Sequence, residues 1–379
     1  KTMDKIYERH QRTWRVLYAM AHRSICGVFR LTHDDLRIDG PCLIIPNHVS
    51  AWDPLLVAMS LREKQAYYVA SEHIFRQGLL TSLLDWLVAP IPRKKGASGT
   101  DTVKACLRHL KNGHSVCLFA EGEQCWDGRS GHIFPATGKL ARVSSATLVT
   151  FRIEGAYLSQ PRWGKHIRRG RVHVGPVHIY PPEQLKSMTP EQINAVIETD
   201  IHEDAWERQK REPVKYQGKR PAEGLEKALY LCPGCRRVGT LKTEKDRLFC
   251  SCGLSVVYTD RGSFAPENPF ANLAEWEDWQ RGTLRLRGFE HGEHLFSDRG
   301  IRLSRLLPGH REEIAETGDL IQYEDRIICG EHVFPLAEIR DMAMVQASWL
   351  LFSCHDEYWQ IRSEGKVNLR KYLEIWKDR

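Results

Sequence analysis

A histidine and an aspartate five positions apart, in the run CLIIPNHVSAWDP, carry the strongest chemical signal in this chain. The apolar run 43–46 reads as a buried strand that ends in Asn47-His48, and Asp53-Pro54 opens a helical pattern. Strand ends in open α/β sheets line ligand crevices, so an imidazole at this point is placed for chemistry. A carboxylate one tight turn later can accept from Nδ1–H, fix the tautomer and leave Nε2 free to take a proton. That is general-base chemistry on a hydroxyl, with the logic of a serine triad but no serine nucleophile. Taken alone, such a pair is more often a loop histidine beside a helix N-cap, so its surroundings decide.

A second group of residues has metal-ligand spacing. Cys232-Pro-Gly-Cys235 is followed by fourteen residues and then Cys250-Ser-Cys252-Gly. Two close thiol pairs on two turns, eased by Gly234 and Gly253, can converge tetrahedrally on one Zn²⁺, as in a zinc ribbon. The second pair is one residue tighter than the usual C-x-x-C. Redox thiols or unrelated cysteines are the alternatives. Four thiolates leave no open coordination position, so the zinc is expected to be structural and to supply folding energy to a module too small for its own core. Cys26, Cys42, Cys106, Cys117, Cys125, Cys329 and Cys354 show no such spacing and most of them read as small core residues, and His73, His109 and His114 read as ordinary packed histidines.

These groups must be positioned by a chain of 379 residues, long enough for two or three domains. Apolar residues at 42% and charged residues at 27% exclude collagen-like, mucin-like and disordered classes. Lys and Arg exceed Asp and Glu by 55 to 48, too mild a balance to imply nucleic acid. The longest apolar stretch, 78–92, contains Asp85 and is too short to span a bilayer. No secretory signal is visible, and a reducing compartment suits the cysteines. Strand patterns over 42–46, 66–70, 115–120, 146–153 and 171–179 alternate with helical ones over 54–62, 78–88, 100–112 and 136–143, which predicts an α/β domain. One further helix is expected from Thr189-Pro190 to about Arg211. The polar run 212–226 marks a boundary. Beyond Pro269 a short AEWEDWQ helix precedes alternating runs at 284–286, 320–323, 326–329, 332–335, 347–353 and 357–362, and a helical pattern closes the chain.

NHVSAWDP resembles the NHxSxxDP motif of glycerolipid acyltransferases, the 1-acylglycerol-3-phosphate acyltransferase family. Further blocks follow in order: Ile91-Pro92-Arg93, then Phe119-Ala120-Glu121-Gly122 in place of F-P-E-G, then Leu148-Val149-Thr150. The resemblance covers about residues 10–210. It implies direct acyl transfer from acyl-CoA or an acyl-carrier protein to a lysophospholipid hydroxyl, first of all 1-acylglycerol-3-phosphate. His48 would be the base and Asp53 its partner, with no cofactor for catalysis. Asn47, Ser50, Glu121 and Gly122 stand at motif positions expected to touch substrate. Arg93 and Lys94 would hold the acceptor phosphate, and Gly96 would let the backbone approach it. Two departures stand out. Glu123-Gln124 replaces the usual Thr-Arg, with Arg129 as a possible substitute, and Ser71 replaces a frequent lysine, with Arg76 nearby. A different lysophospholipid head group is therefore an alternative acceptor, and a degenerate, adaptor-like acyltransferase is the rival from another class.

Residues 1–30 read as one amphipathic helix carrying seven cations against two acids. Trp14, Leu17, Tyr18, Ala21, Ile25, Val28 and Phe29 share a face opposite Arg9, Arg12, Arg15, Arg23 and Arg30, the pattern of a helix lying in a membrane interface or packed on a core. The basic run 161–171 suits anionic head groups or a solvated loop equally. The strand-rich region is loosely similar to pleckstrin-homology-like barrels, which would make it a membrane or partner adaptor, the alternative being an oligomerisation or covering domain without ligand. The expected architecture is an α/β mixed sheet flanked by helices with an N-terminal amphipathic helix, plus a zinc ribbon and a small β-barrel-like C-terminal domain. Its divisions are 1–30, 31–215, 228–262 and 270–379. The expected location is peripheral, on the cytoplasmic face of the cell membrane.

Overall fold

Apolar runs bounded by turn residues become the strands of a seven-stranded sheet in the first of two compact units. This unit comprises residues 1–93, 99–162 and 167–218. The computed structural model describes residues 2–71, 89–93, 99–267, 269–285, 294–307, 311–363, 365 and 367–378. In chain order the first unit holds α1 (Thr2–Phe29), β1 (Leu31–His33), β2 (Cys42–Pro46), α2 (Asp53–Met59), β3 (Ala66–Ser71), β4 (Ile91–Arg93), α3 (Thr100–Lys111) and β5 (Ser115–Cys117). There follow α4 (Ala136–Val143), β6 (Thr147–Glu154), α5 (Ala156–Ser159), β7 (Val172–Tyr180), α6 (Pro182–Ser187), α7 (Pro190–Ile201) and α8 (Ala205–Arg211). The strand order is β1-β7-β6-β2-β5-β3-β4, parallel throughout except for the antiparallel β6–β7 pair. The mixed sheet flanked by helices is thus present. The helix expected over 78–88 lies outside the described residues, as do Lys94 and Gly96.

All five residues of β2 are buried, which is why its sequence is continuously apolar rather than alternating. Leu43 and Ile45 join Val116, Leu148, Leu110, Ile193 and Ile197 in the core beneath α3 and α7. The single helix expected from Thr189 to Arg211 is in fact two. Thr189 and Gln192 form a capping box that starts α7, but the Asp204 side chain accepts from the Trp206 and Glu207 amides and starts α8 afresh.

The N-terminal helix has the expected length, and its apolar face has a partner. Trp14 Nε1 donates to the Leu61 carbonyl at 2.8 Å, Tyr18 donates to the Met59 carbonyl at 3.1 Å, and Phe29 packs against Trp52. The face offered by the sequence to a membrane is therefore docked on the α/β domain. What α1 leaves exposed is Val16 (59%) and Met20 (74%), with Ile6 and Val28, among exposed arginines. Among the described residues no helix is long and apolar enough to cross a membrane.

The second unit comprises residues 94–98, 163–166 and 219–379. Its β8 (Leu241–Glu244), β9 (Arg247–Cys250), β10 (Ser255–Tyr258) and β11 (Phe264–Ala265) form an antiparallel sheet. Then come α9 (Leu273–Arg285), β12 (Phe296–Leu307), β13 (Arg311–Gln322), β14 (Arg326–Cys329), β15 (His332–Pro335), β16 (Arg340–Val345), β17 (Trp349–Cys354), β18 (Glu357–Ser363) and α10 (Arg370–Lys377). Strands β12 to β18 pair antiparallel in the order β15-β14-β13-β12-β18-β17-β16. Leu284, expected in a strand, closes the buried face of α9 instead. The thiol module and the strand-rich region fall in one compact unit. Trp276 of α9 donates to the Leu231 carbonyl at 3.0 Å, and buried Arg370 of α10 reaches both Glu277 and the Ala228 carbonyl.

Candidate active site

The turn between β2 and α2 is wound around a single carboxylate oxygen. Asp53 Oδ2 accepts from His48 Nδ1 at 2.8 Å, from the Val49 amide at 2.6 Å and from the Ser50 amide at 2.9 Å. The Asp53 side chain is fully buried, while that of His48 keeps 17% exposure. Burial pushes the Asp53 carboxyl above its usual range, against the pull of the His48 bond and charge and of the two amides. With Nδ1 held by Asp53, the tautomer that leaves Nε2 as the basic nitrogen is favoured.

Asn47 and Ser50 are fixed by the same turn. Asn47 is buried, and its amide group donates to the Ile153 carbonyl at 3.0 Å and accepts from the Ile153 amide at 2.7 Å, tying the end of β2 to β6. Ser50 is buried as well, its hydroxyl accepting from the Trp52 amide at 3.3 Å. Both residues therefore hold the loop that presents the imidazole.

The loop after β5 closes over the histidine. Phe119 stacks on the His48 ring with centroids 4.3 Å apart. Glu121 bridges two main-chain amides, that of His48 through Oε1 at 2.7 Å and that of Gly131 through Oε2 at 2.6 Å. Burial pushes its carboxyl up to about 8, although both amides pull the other way. The Cys125 amide donates to the His48 carbonyl at 2.9 Å, so the histidine is held at ring, N–H and C=O.

Gly122 has φ +73°, and a Cβ there would lie 2.2 Å from the Phe134 ring, so only glycine fits. The Arg93 guanidinium sits over that same ring, 4.7 Å from its centroid. Phe134 thus brings Gly122 and Arg93 together. The motifs did not single it out, and the signal it gives is structural: an aromatic ring left 44% exposed. Arg129 is placed differently. Its guanidinium binds Asp127, with Nε at 2.7 Å from the carboxylate, and its backbone bridges to Asp204.

The departures at 123 and 124 have a local explanation. Arg162, whose side chain is 3% exposed, binds the Glu123 carboxylate at 3.0 Å and the Gln124 carbonyl at 3.1 Å, and stacks over Trp126. The basic run 161–171 is accordingly only in part a cationic surface. The Arg162 side chain, Trp163 and Arg168 are buried and Arg171 pairs with Glu212, while Lys165 and Arg169 stay exposed. In the second unit the four thiols of Cys232, Cys235, Cys250 and Cys252 lie within 4.8 Å of one another, with Cys232–Cys252 at 3.6 Å and Cys235–Cys250 at 3.8 Å.

A family model described as Acyltransferase matches residues 6–154, the span that contains β2, the histidine turn and the Glu121 loop. The chain is 28% identical over 145 residues to the chloroplastic 1-acyl-sn-glycerol-3-phosphate acyltransferase LPAT1 of Arabidopsis thaliana, covering 37% of this chain and 40% of that protein. It is 24% identical over 178 residues to the chloroplastic 1-acyl-sn-glycerol-3-phosphate acyltransferase BAT2 of Brassica napus, covering 45% and 51%. Residues 6–154 thus match the Acyltransferase family, and part of the chain is similar to 1-acylglycerol-3-phosphate acyltransferases. The chain spans about half the length, or less, of these curated relatives. A solved structure, the 1-acyl-sn-glycerophosphate acyltransferase PlsC of Thermotoga maritima, aligns with TM-score 0.39 at 16% identity, covering 52% of this chain and 77% of that one. Within the matched span, His48 and Asp53 stand in hydrogen-bond contact.

Proposed function

We propose that this acyltransferase moves a fatty acyl chain from acyl-CoA or an acyl-carrier protein to the free hydroxyl of 1-acylglycerol-3-phosphate, giving phosphatidic acid. The observation that carries this reading is the 2.8 Å contact between His48 Nδ1 and the buried Asp53 carboxylate. Nε2 of His48 takes the hydroxyl proton as the oxygen attacks the thioester carbonyl, and the imidazolium formed is stabilised by Asp53. The tetrahedral adduct then collapses, the carbon–sulfur bond breaks, and the thiolate leaves with the proton from Nε2. Ester and thiol are the products, and His48 is regenerated without an acyl-enzyme. Arg93 is the first candidate for the acceptor phosphate, through the two parallel hydrogen bonds that a guanidinium offers.

A second acceptor class is favoured by one observation. Glu123, 24% exposed and held by Arg162, adds a carboxylate to the loop that carries Glu121, which suits a lysophospholipid bearing a cationic or larger head group. The test is a radiolabelled acyl-donor assay against a panel of lysolipids with wild type and His48→Ala. Transfer that survives in the variant removes this mechanism, and absence of transfer by wild type to every lysolipid favours an adaptor.

The protein would work peripherally on the cytoplasmic face of the cell membrane, where its substrates lie. The exposed Val16 and Met20 among the arginines of α1 support this. The four clustered thiols of the second unit suit one structural Zn²⁺ in a ribbon, held by Cys232, Cys235, Cys250 and Cys252. Metal analysis should find that zinc lost in Cys232→Ser/Cys235→Ser. The seven-stranded antiparallel sheet with its terminal helix supports a pleckstrin-homology-like adaptor for a protein or lipid partner.

A further inference from the structure

We propose that His22, Cys26 and His33 form a second, half-buried transition-metal site, with two nitrogens and one sulfur as ligands and a fourth position for water. His22 and Cys26 are four residues apart on α1 and so share a face of the helix, while His33 ends β1. The two imidazole Nε2 atoms face each other at 2.8 Å, and Cys26 Sγ lies 3.6 Å from His22 Nε2. All three ligand atoms fall within 4.8 Å of one another.

The spacing fits the chemistry. With metal–nitrogen bonds of about 2.0–2.1 Å and metal–sulfur bonds of about 2.3 Å, tetrahedral ligands stand about 3.3 Å apart for a nitrogen pair and about 3.6 Å for nitrogen and sulfur. The sulfur is therefore already at that spacing from His22 Nε2, and the imidazoles need to part by about half an ångström. His33 Nδ1 lies 3.2 Å from Asp35 Oδ1. A carboxylate beside the far nitrogen favours the proton there once the ring turns to meet it, which aims the Nε2 lone pair inward, the arrangement that accompanies ligating histidines. Imidazole and thiolate select zinc, cobalt or copper over magnesium or calcium. The ligands straddle the turn from α1 to β1, so a bound ion would staple the end of the helix to the sheet edge.

The experiment uses the full chain stripped of metal and reloaded with Zn²⁺. Wild type should bind one equivalent more than Cys26→Ser, whatever the total, and His33→Gln should match Cys26→Ser. Peptide-resolved alkylation gives a second readout: Zn²⁺ should slow labelling of Cys26 at least tenfold in wild type and not in His33→Gln, and Mg²⁺ should have no effect in either. Circular dichroism confirms that each variant is folded. Equal zinc content in folded wild type and Cys26→Ser overturns the proposal, as does a Cys26 labelling rate indifferent to Zn²⁺.

Discussion

Replacing Asp53 with asparagine separates the two things this carboxylate does. Its Oδ2 organises the turn by accepting from the Val49 and Ser50 amides and from the His48 ring. Its charge is available to an imidazolium formed during reaction. An asparagine Oδ1 placed at the same point still accepts all three bonds, because the reverse orientation would set an amide donor against three donors. The new amino group then occupies the Asp53 Oδ1 position, which is buried and has no partner, so Asp53→Asn should lose about 1–3 kcal/mol of stability yet keep the turn. The charge is what disappears. Two unit charges about 4 Å apart interact by about 4 kcal/mol at the effective dielectric typical of protein sites. At about 1.4 kcal/mol per decade, kcat should fall by about 10²–10³. Asp53→Ala, which orphans three donors, should lose activity and local order together. The assay is transfer of a radiolabelled acyl group at saturating donor and acceptor, with near-ultraviolet circular dichroism as the check on the turn. A kcat for Asp53→Asn within threefold of wild type, with Asp53→Ala inactive, would show that Asp53 only tethers the loop and would refute the electrostatic role.

Four further outcomes follow from other groups. In Glu121→Gln one of the two amides now held, His48 or Gly131, must face an amino group, so kcat should drop about 10-fold or more, with the base itself intact. A carboxyl raised from its ordinary value near 4.5 to about 8 by burial makes the folded state bind more protons than the unfolded one between those pH values. Wild-type stability should therefore fall as pH rises through that window, and denaturant titrations should show the slope flattened in Glu121→Gln. Val16→Glu/Met20→Glu should weaken sedimentation with anionic vesicles while leaving transfer to a detergent-dispersed acceptor unchanged. Arg370→Met leaves buried Glu277 and Glu374 to Arg281 alone of the two arginines that now pair with both, and should cost up to about 3–5 kcal/mol of stability in thermal unfolding.

Local patterns were legible where local rules decide. β2 and α4 match their expected limits residue for residue, one because a continuous apolar run is bounded by Pro41 and Asn47, the other because its period runs into Ser144 and Ser145. The histidine–aspartate contact was legible for the same reason, since both partners sit in one turn. What escaped the sequence is non-local or depends on what covers a surface. Nothing in the spacing shows that Glu123 and Gln124 are held by an arginine some forty residues on. Helical periodicity says that α1 has an apolar face but not that Leu61 and Met59 carbonyls receive its Trp14 and Tyr18. The helix ending at Ile201 turned on one side chain, Asp204, competing for the next two amides.

The reach of that one loop has a mechanistic consequence. His48 is fixed on one side by Asp53 and on the other by Phe119, Glu121 and Cys125, all from the segment that follows β5. The same segment continues through Gly122, whose left-handed backbone allows Phe134 to lie over it, and Phe134 in turn supports Arg93. His48 and Arg93, the proposed base and acceptor-binding cation, are therefore not independent parts set on a rigid sheet. One packed loop touches both, with Glu121 holding the Gly131 amide midway. A change made for head-group preference within 119–134 should accordingly alter kcat as well as acceptor KM, because moving the loop by a fraction of an ångström also moves the nitrogen that must take the proton.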